Sequence, residues 1–366
     1  PTFCMRTIPN ISKHLIELDN IINTEFIPAI TGGITCSNEE RKLISLPVKL
    51  GGLGIPIFSK IADREYEYSQ MISDDLARKI VNQERQYVEN TNARIIKNNI
   101  KSSKLHQHQR NLEMLSSDMT EIQKRLNSFN QEKGASSWLT TLPIKEEGYN
   151  LTKQLFWDLI RIRYNWALSR MPSNCECGIK FDIQHALSCK KGGFVSLRHN
   201  HIRNITASLL AEVCKDVRVE PILQELTGEI LQQQTIRSNE ARLDIRARGF
   251  WEAGQTAFFD VRVFNPNAAR YAKLEISKAY ESNEREKKKL YNERIMQVEH
   301  GSFTPLVMSA TGGMGRECQK FYNRLAEMIS EKRNMDYSII ATWIRRKISF
   351  SLIKSIGLCI RGSRSV

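Results

Sequence analysis

The sequence predicts an α+β chain, helical at both ends, with a small metal-binding knuckle and an α/β/α core between them. Three observations predict it. A long polar stretch before residue 135 has almost no Gly or Pro and carries apolar residues at near-heptad spacing. Three thiols and an imidazole crowd into the segment from Cys175 to Cys189. Two runs rich in β-branched and aromatic residues, RLDIRARGF and TAFFDVRVFNP, each hold an aspartate and precede a lysine-bearing helix.

Composition narrows the partners. Lys and Arg number 54 against 40 acidic residues, a formal charge of +14, which favours a polyanion, nucleic acid first. Of eight cysteines, Cys175, Cys177 and Cys189 cluster and the others are scattered. That distribution fits a metal site plus free thiols in a reducing compartment better than a disulfide framework. The sequence has neither a signal peptide nor an apolar run of membrane length, so the expected chain is neither secreted nor membrane-bound. It begins at Pro1, as expected of a piece of a longer polypeptide.

Residues 1–56 read as a small helical module. Leu15, Leu18, Ile22 and Phe26 have helical spacing, and Ser37 with Glu40 forms a capping box for a second helix through Leu46. The run SLPVKLGGLGIP, with Gly51, Gly52 and Gly54, closes it. Residues 57–134 predict a long helical hairpin or arm, its seam marked by Val81, Val88 and Ile95, then Leu112, Leu115, Ile122 and Leu126. A spacer explains this arm more simply than a binding surface. Residues 133–137 are its linker. Residues 135–172 form a helical connector starting at Asn150 or Thr152, with Leu155, Phe156, Leu159, Ile160 and Tyr164 on one face. Arg161, Arg163 and Arg170 are open to phosphate contact or to plain solvation.

Residues 173–193 hold Cys175, Cys177, His185 and Cys189 in the pattern Cys-x-Cys-x7-His-x3-Cys. Tetrahedral Zn²⁺ takes S and N ligands of this kind, and Gly178 permits the turn after the second. Asp182 starts a helix that presents His185. Such a knuckle is stabilised by its metal and is not itself catalytic. Residues 194–217 predict a helix whose start gathers Arg198, His199, His201 and Arg203, a set suited to nucleic-acid contact. Glu212 lies on the same helix, either near the metal site or solvated. Pro221 to Ile236 is a connector.

Asp244 and Asp260 then sit on two candidate strands, with Gly249 and Gly254 bracketing a hairpin-like turn. A carboxylate in a buried strand needs a cation, a donor or a metal. A helix over 271–298, a strand at 303–308 and the glycine turn TGGMG follow. Residues 316–366 predict basic C-terminal helices, with Arg345, Arg346 and Lys347 beside an apolar stripe, open to nucleic acid or simply solvated.

Helix, strand with Asp, strand with Asp, helix with Lys and another strand is the order of the PD-(D/E)XK nuclease core, here residues 194–315. In that chemistry two carboxylates hold Mg²⁺ or Mn²⁺, and a lysine orients the attacking water. Arg262 occupies the place of the usual lysine and is a better phosphate clamp than a base. Lys287, Lys288 and Lys289 on the next helix are the alternative source. The chain resembles the C-terminal part of non-LTR retrotransposon reverse transcriptase proteins that carry a restriction-like endonuclease and an upstream CCHC zinc knuckle. The resemblance rests on the Gly-Gly-Leu-Gly segment, the knuckle, Arg198-His199-Asn200, the two aspartates and Lys-x-x-Tyr ending at Tyr291. It covers residues 40–56 weakly and 175–315 more fully. It implies that Asp244 and Asp260 bind metal, that Lys288 is the displaced lysine, and that Tyr291 lies about one turn beyond. Leu243 stands where the motif often has proline, and the last knuckle spacing is one residue short.

The implied activity is metal-dependent nicking of target DNA to prime reverse transcription. The expected partners are DNA and element RNA, and the expected location is the nucleus. A polymerase domain would lie elsewhere in the same polypeptide, because the aromatic-x-Asp-Asp site is missing here. The alternative is a catalytically inert nucleic-acid-binding module, the knuckle plus basic helices of a decayed or domesticated element.

Overall fold

A computed structural model describes residues 1–84, 91–225 and 241–364. It is mixed α+β, predominantly helical with one small sheet, and divides into two compact units. The first comprises Pro1–Gln131 and Phe156–Ala167, the second Glu132–Leu155 and Leu168–Val366.

In the first unit, α1 (Thr2–Thr7), α2 (Ile16–Ile21) and α3 (Ile27–Thr31) lead to α4 (Asn38–Ser45). A 3₁₀ turn before α2 and a π turn after it make residues 11–31 one continuous helical run. The capping box is formed: Glu40 N–H donates to Ser37 Oγ at 3.2 Å, and Ser37 N–H to Glu40 Oε2 at 2.9 Å. Next come α5 (Phe58–Val81), α6 (Thr91–Asp118), α7 (Glu121–Gln131) and α8 (Lys153–Arg163), the last running into this unit. Helices α5 and α6 pair, with polar contacts that include Lys104 on Glu65 and Tyr68 beside Ser103. Val81 and Ile95 are 80% and 57% exposed, so that part of the expected seam is not buried, and Val88 lies outside the described residues; further along, Leu115 and Leu126 are buried while Ile122 is exposed.

Arg161 and Arg163 are buried and donate to backbone carbonyls, Arg161 to Thr31 and Gly32, Arg163 to Val48, Gly51 and Gly52. Neither of the two roles left open for them, phosphate contact or plain solvation, holds for Arg161 and Arg163; their role is structural, since the irregular loops they cross have carbonyls that need donors. Gly51 adopts φ +92°, and a Cβ on Gly52 would run into the Leu46 carbonyl oxygen, so the Gly-Gly segment is fixed by close backbone approach.

The second unit holds α9 (Ile183–Ala186), α10 (Phe194–Val213), β1 (Lys215–Val219), β2 (Ile245–Arg248), β3 (Thr256–Phe264), α11 (Ile276–Gln297), β4 (Ser302–Ser309), α12 (Arg316–Arg333) and α13 (Tyr337–Arg361). The helix expected through residue 217 ends at Val213, and Lys215–Val219 joins the sheet instead. Part of the expected 221–236 connector lies outside the described residues. Sheet order is β1-β2-β3-β4, the first two pairings antiparallel and β3–β4 parallel.

Strand alternation sets the layers. Ile245, Ala247, Ala257, Phe259 and Val261 pack with Leu210 of α10, Phe321 of α12 and Ile344 of α13. The opposite face meets α11, with Phe258 and Phe303 against Ile295, and Phe264 and Val307 against Tyr280. Asp260 shares that second face with Phe258 and Phe264.

Candidate carboxylate site and metal knuckle

Asp244 directly precedes β2, and the pairing of Ile245 with Phe259 carries on to set Asp244 beside Asp260. Both Asp244 oxygens are held. Oδ1 lies 2.9 Å from His199 Nε2 on α10, and Oδ2 accepts the Val261 N–H at 2.6 Å. Asp260, 7% exposed, has Oδ2 2.8 Å from Lys287 Nζ, an ion pair in which that oxygen has no aligned hydrogen bond. Tyr291, one turn further along α11, sets its ring 5.6 Å from the same ammonium.

The electrostatics follow from crowding charge in a dry place. Burial pushes the Asp260 carboxyl up; Lys287 opposes this and the Asp244 charge adds to it. Burial alone would lower Lys287, but Asp260 outweighs it and holds the amine above its ordinary value. His199 behaves likewise: burial lowers it, yet the hydrogen bond and charge of Asp244, helped by Asp260, raise it overall. Burial raises the Tyr291 phenol, reinforced by the Asp260 charge.

The structure gathers some expected residues and disperses others. Lys287 meets the carboxylates; Lys288 turns to Glu317 at 3.3 Å, and Lys289 is exposed. Arg262 pairs with Glu286 at 3.0 Å, and Arg270 shares that carboxylate. Glu212 pairs with Arg333 at 2.6 Å and is not one of the residues grouped at the metal-binding cluster among the described residues. Among the residues expected at nucleic acid, Arg198 is only 2% exposed, and Arg203 is buried on Glu220 and Asn204. Neither can reach a phosphate from there. His201 is exposed, Arg345 and Arg346 are half-buried, and Lys347 stacks 4.7 Å from the Trp343 ring centre. His199 was expected among the nucleic-acid contacts, and its partnership with Asp244 had no local sequence signal.

The knuckle folds as its sequence directs. Gly178, at φ +85°, closes a turn in which its N–H donates to the Cys175 carbonyl at 2.8 Å. Asp182 caps α9 by accepting the His185 N–H at 2.7 Å. One turn on, the Cys189 N–H returns to the His185 carbonyl, which brings both side chains to one side. The ligand atoms of Cys175, Cys177, His185 and Cys189 all lie within 4.8 Å of one another and can hold a metal ion. The Cys175–Cys189 and Cys177–Cys189 sulfur separations are 3.8 and 3.9 Å. A tetrahedron with Zn–S bonds of about 2.3 Å has S···S edges of about 3.8 Å, so the spacing is compatible with zinc.

A scan against protein-family models finds no match, and no curated protein matches the sequence. Among the described residues, no helix is long and apolar enough to cross a membrane.

Proposed function

We propose that this chain is the endonuclease region of a non-LTR retroelement protein, nicking nuclear target DNA to provide a primer for reverse transcription. The observation that carries the reading is the carboxylate pair Asp244 and Asp260 on neighbouring strands, with Lys287 against it. The order α10, β1, β2, β3, α11, β4, with helices on both sheet faces, supports a PD-(D/E)XK-like core.

Two carboxylates are the hard oxygen donors that Mg²⁺ or Mn²⁺ prefers, and the buried Asp260 Oδ2 without an aligned donor fits such an ion. When bound, the metal supplies Lewis acidity at the scissile phosphate and a more acidic water. The chain's own groups do the rest. His199 and the Val261 N–H fix the Asp244 carboxylate. Lys287 carries the positive charge that steadies the phosphate and orients the attacking water, and the Tyr291 ring limits where its ammonium can swing. Arg262 is engaged by Glu286 and is not the clamp. At the knuckle we assign Zn²⁺, with Cys175, Cys177, His185 and Cys189 as ligands. The net charge of +14, with the half-buried Arg345, Arg346 and Lys347 on α13, favours DNA and element RNA as partners, and a polymerase domain in the same polypeptide would complete the reaction.

The Lys287–Asp260 pair also favours a second reading, an inert nucleic-acid-binding module in which the lysine neutralises the carboxylate permanently. Purified protein is expected to nick duplex DNA with Mg²⁺ or Mn²⁺, and Asp260→Ala to abolish nicking while largely preserving DNA binding. Undiminished cleavage by Asp260→Ala overturns the assignment. Strong binding without any cleavage by the wild type selects the second reading.

A further inference from the structure

The knuckle is fastened to the carboxylate-bearing layer by side chains that the nuclease reading does not use. Arg198 sits on α10 beside His199. Its Nη2 donates to the Leu187 carbonyl in the knuckle and to the Val263 carbonyl on β3, each at 3.3 Å. Asn265, 6% exposed just past β3, donates from Nδ2 to the Gln184 carbonyl at 3.2 Å and lies within hydrogen-bond reach of Ser188 Oγ. Arg364 donates to the Ala186 carbonyl at 3.4 Å from the other side.

Arg198 has an unmet need. Its Nε and Nη1 have no hydrogen-bond partner, and no carboxylate pairs with it among the described residues. A guanidinium buried without a counter-charge is costly. Three thiolates around a dication leave a cluster with one net negative charge. A loaded knuckle therefore supplies the counter-charge that the buried Arg198 lacks.

We propose that metal loading of the knuckle fixes the position of the carboxylate strands, with Arg198 and Asn265 as the positioning residues. The route is short: from the knuckle through Arg198 and Asn265 to the end of β3, which carries Asp260 and the Val261 N–H that holds Asp244. The neighbouring His199 on α10 holds the other Asp244 oxygen. The consequence for cleavage rests on the nuclease reading; the coupling itself does not.

Hydrogen–deuterium exchange on the zinc-loaded and chelator-treated full chain tests it. Zinc removal is expected to speed exchange in the knuckle and, by about tenfold, in β3 and the first turns of α10, while α12 stays protected. Asn265→Ala is expected to bind zinc yet make β3 exchange insensitive to it, and Arg198→Lys to retain part of the wild-type response. If Arg198 variants do not fold, Asn265→Ala carries the test alone. Exchange in β3 that ignores zinc in the wild type, or that responds equally in Asn265→Ala, overturns the proposal. Because the readout is exchange, a chain that never nicks DNA overturns the nuclease reading and leaves this one standing.

Discussion

Lys287 Nζ lies 2.8 Å from Asp260 Oδ2, while the next residue, Lys288, faces Glu317. One helical position separates a lysine inside the carboxylate site from one outside it. Lys287→Ala is expected to lower the nicking rate by about 10²–10³, as loss of a charge at the reacting phosphate does. Lys288→Ala is expected to stay within about threefold of the wild type on this account, because its partner lies elsewhere. Single-turnover kinetics on both variants check the assignment, and the reverse order of effects contradicts it.

That choice was not legible in the spacing. Tyr280, Asn283, Glu284, Lys287, Tyr291 and Ile295 line the covered face of α11, and all are buried or half-buried. Tyr291 is four residues from Lys287 and three from Lys288, so both are its helical neighbours, and only the packing of α11 separates them. The Ser37–Glu40 box, the Asp182 cap, the knuckle and the strand holding Asp260 were readable because each is a local pattern. Arg161, Arg163, Arg198 and Arg203 were not, because charge alone does not tell a surface arginine from one that donates to buried carbonyls or meets a distant acid. Strand β1 escaped because KDVRV is polar and exposed at the sheet edge.

The glycine run after α4 makes a stability prediction. A Cβ on Gly52 meets the Leu46 backbone carbonyl, whereas Gly54 has open space but a left-handed φ of +71°. Gly52→Ala is expected to destabilise the first unit by about 3 kcal/mol, and Gly54→Ala by about 1 kcal/mol. Urea denaturation followed by helical circular dichroism measures both. Equal costs would show that close approach is not what Gly52 serves.

Glu132 predicts a pH dependence. Burial pushes its carboxyl from 4.5 up to about 7. A raised folded-state pKa means that its contribution is fully present below the unfolded value and is lost as pH rises through about 7. Stability should therefore fall between about pH 4.5 and about pH 7, and Glu132→Gln should flatten that fall by about 2 kcal/mol after allowance for partial exposure. Parallel wild-type and variant profiles contradict this.

The knuckle predicts metal content. One zinc per chain is expected by elemental analysis, and Cys175→Ser or Cys189→Ser, each removing a buried ligand, should lower occupancy and destabilise the segment. A folded, zinc-free wild type would remove the metal assignment.

The proposed metal-dependent phosphodiesterase centre stands on Asp244 and Asp260 together. The most direct measurement is nicking of supercoiled plasmid by wild type, Asp244→Asn and Asp260→Asn at matched DNA occupancy, with Mg²⁺ or Mn²⁺ and with chelator. Divalent-dependent nicking by the wild type is expected, with loss of at least about a hundredfold in both variants. Cleavage that survives both substitutions, or that persists in chelator, contradicts it.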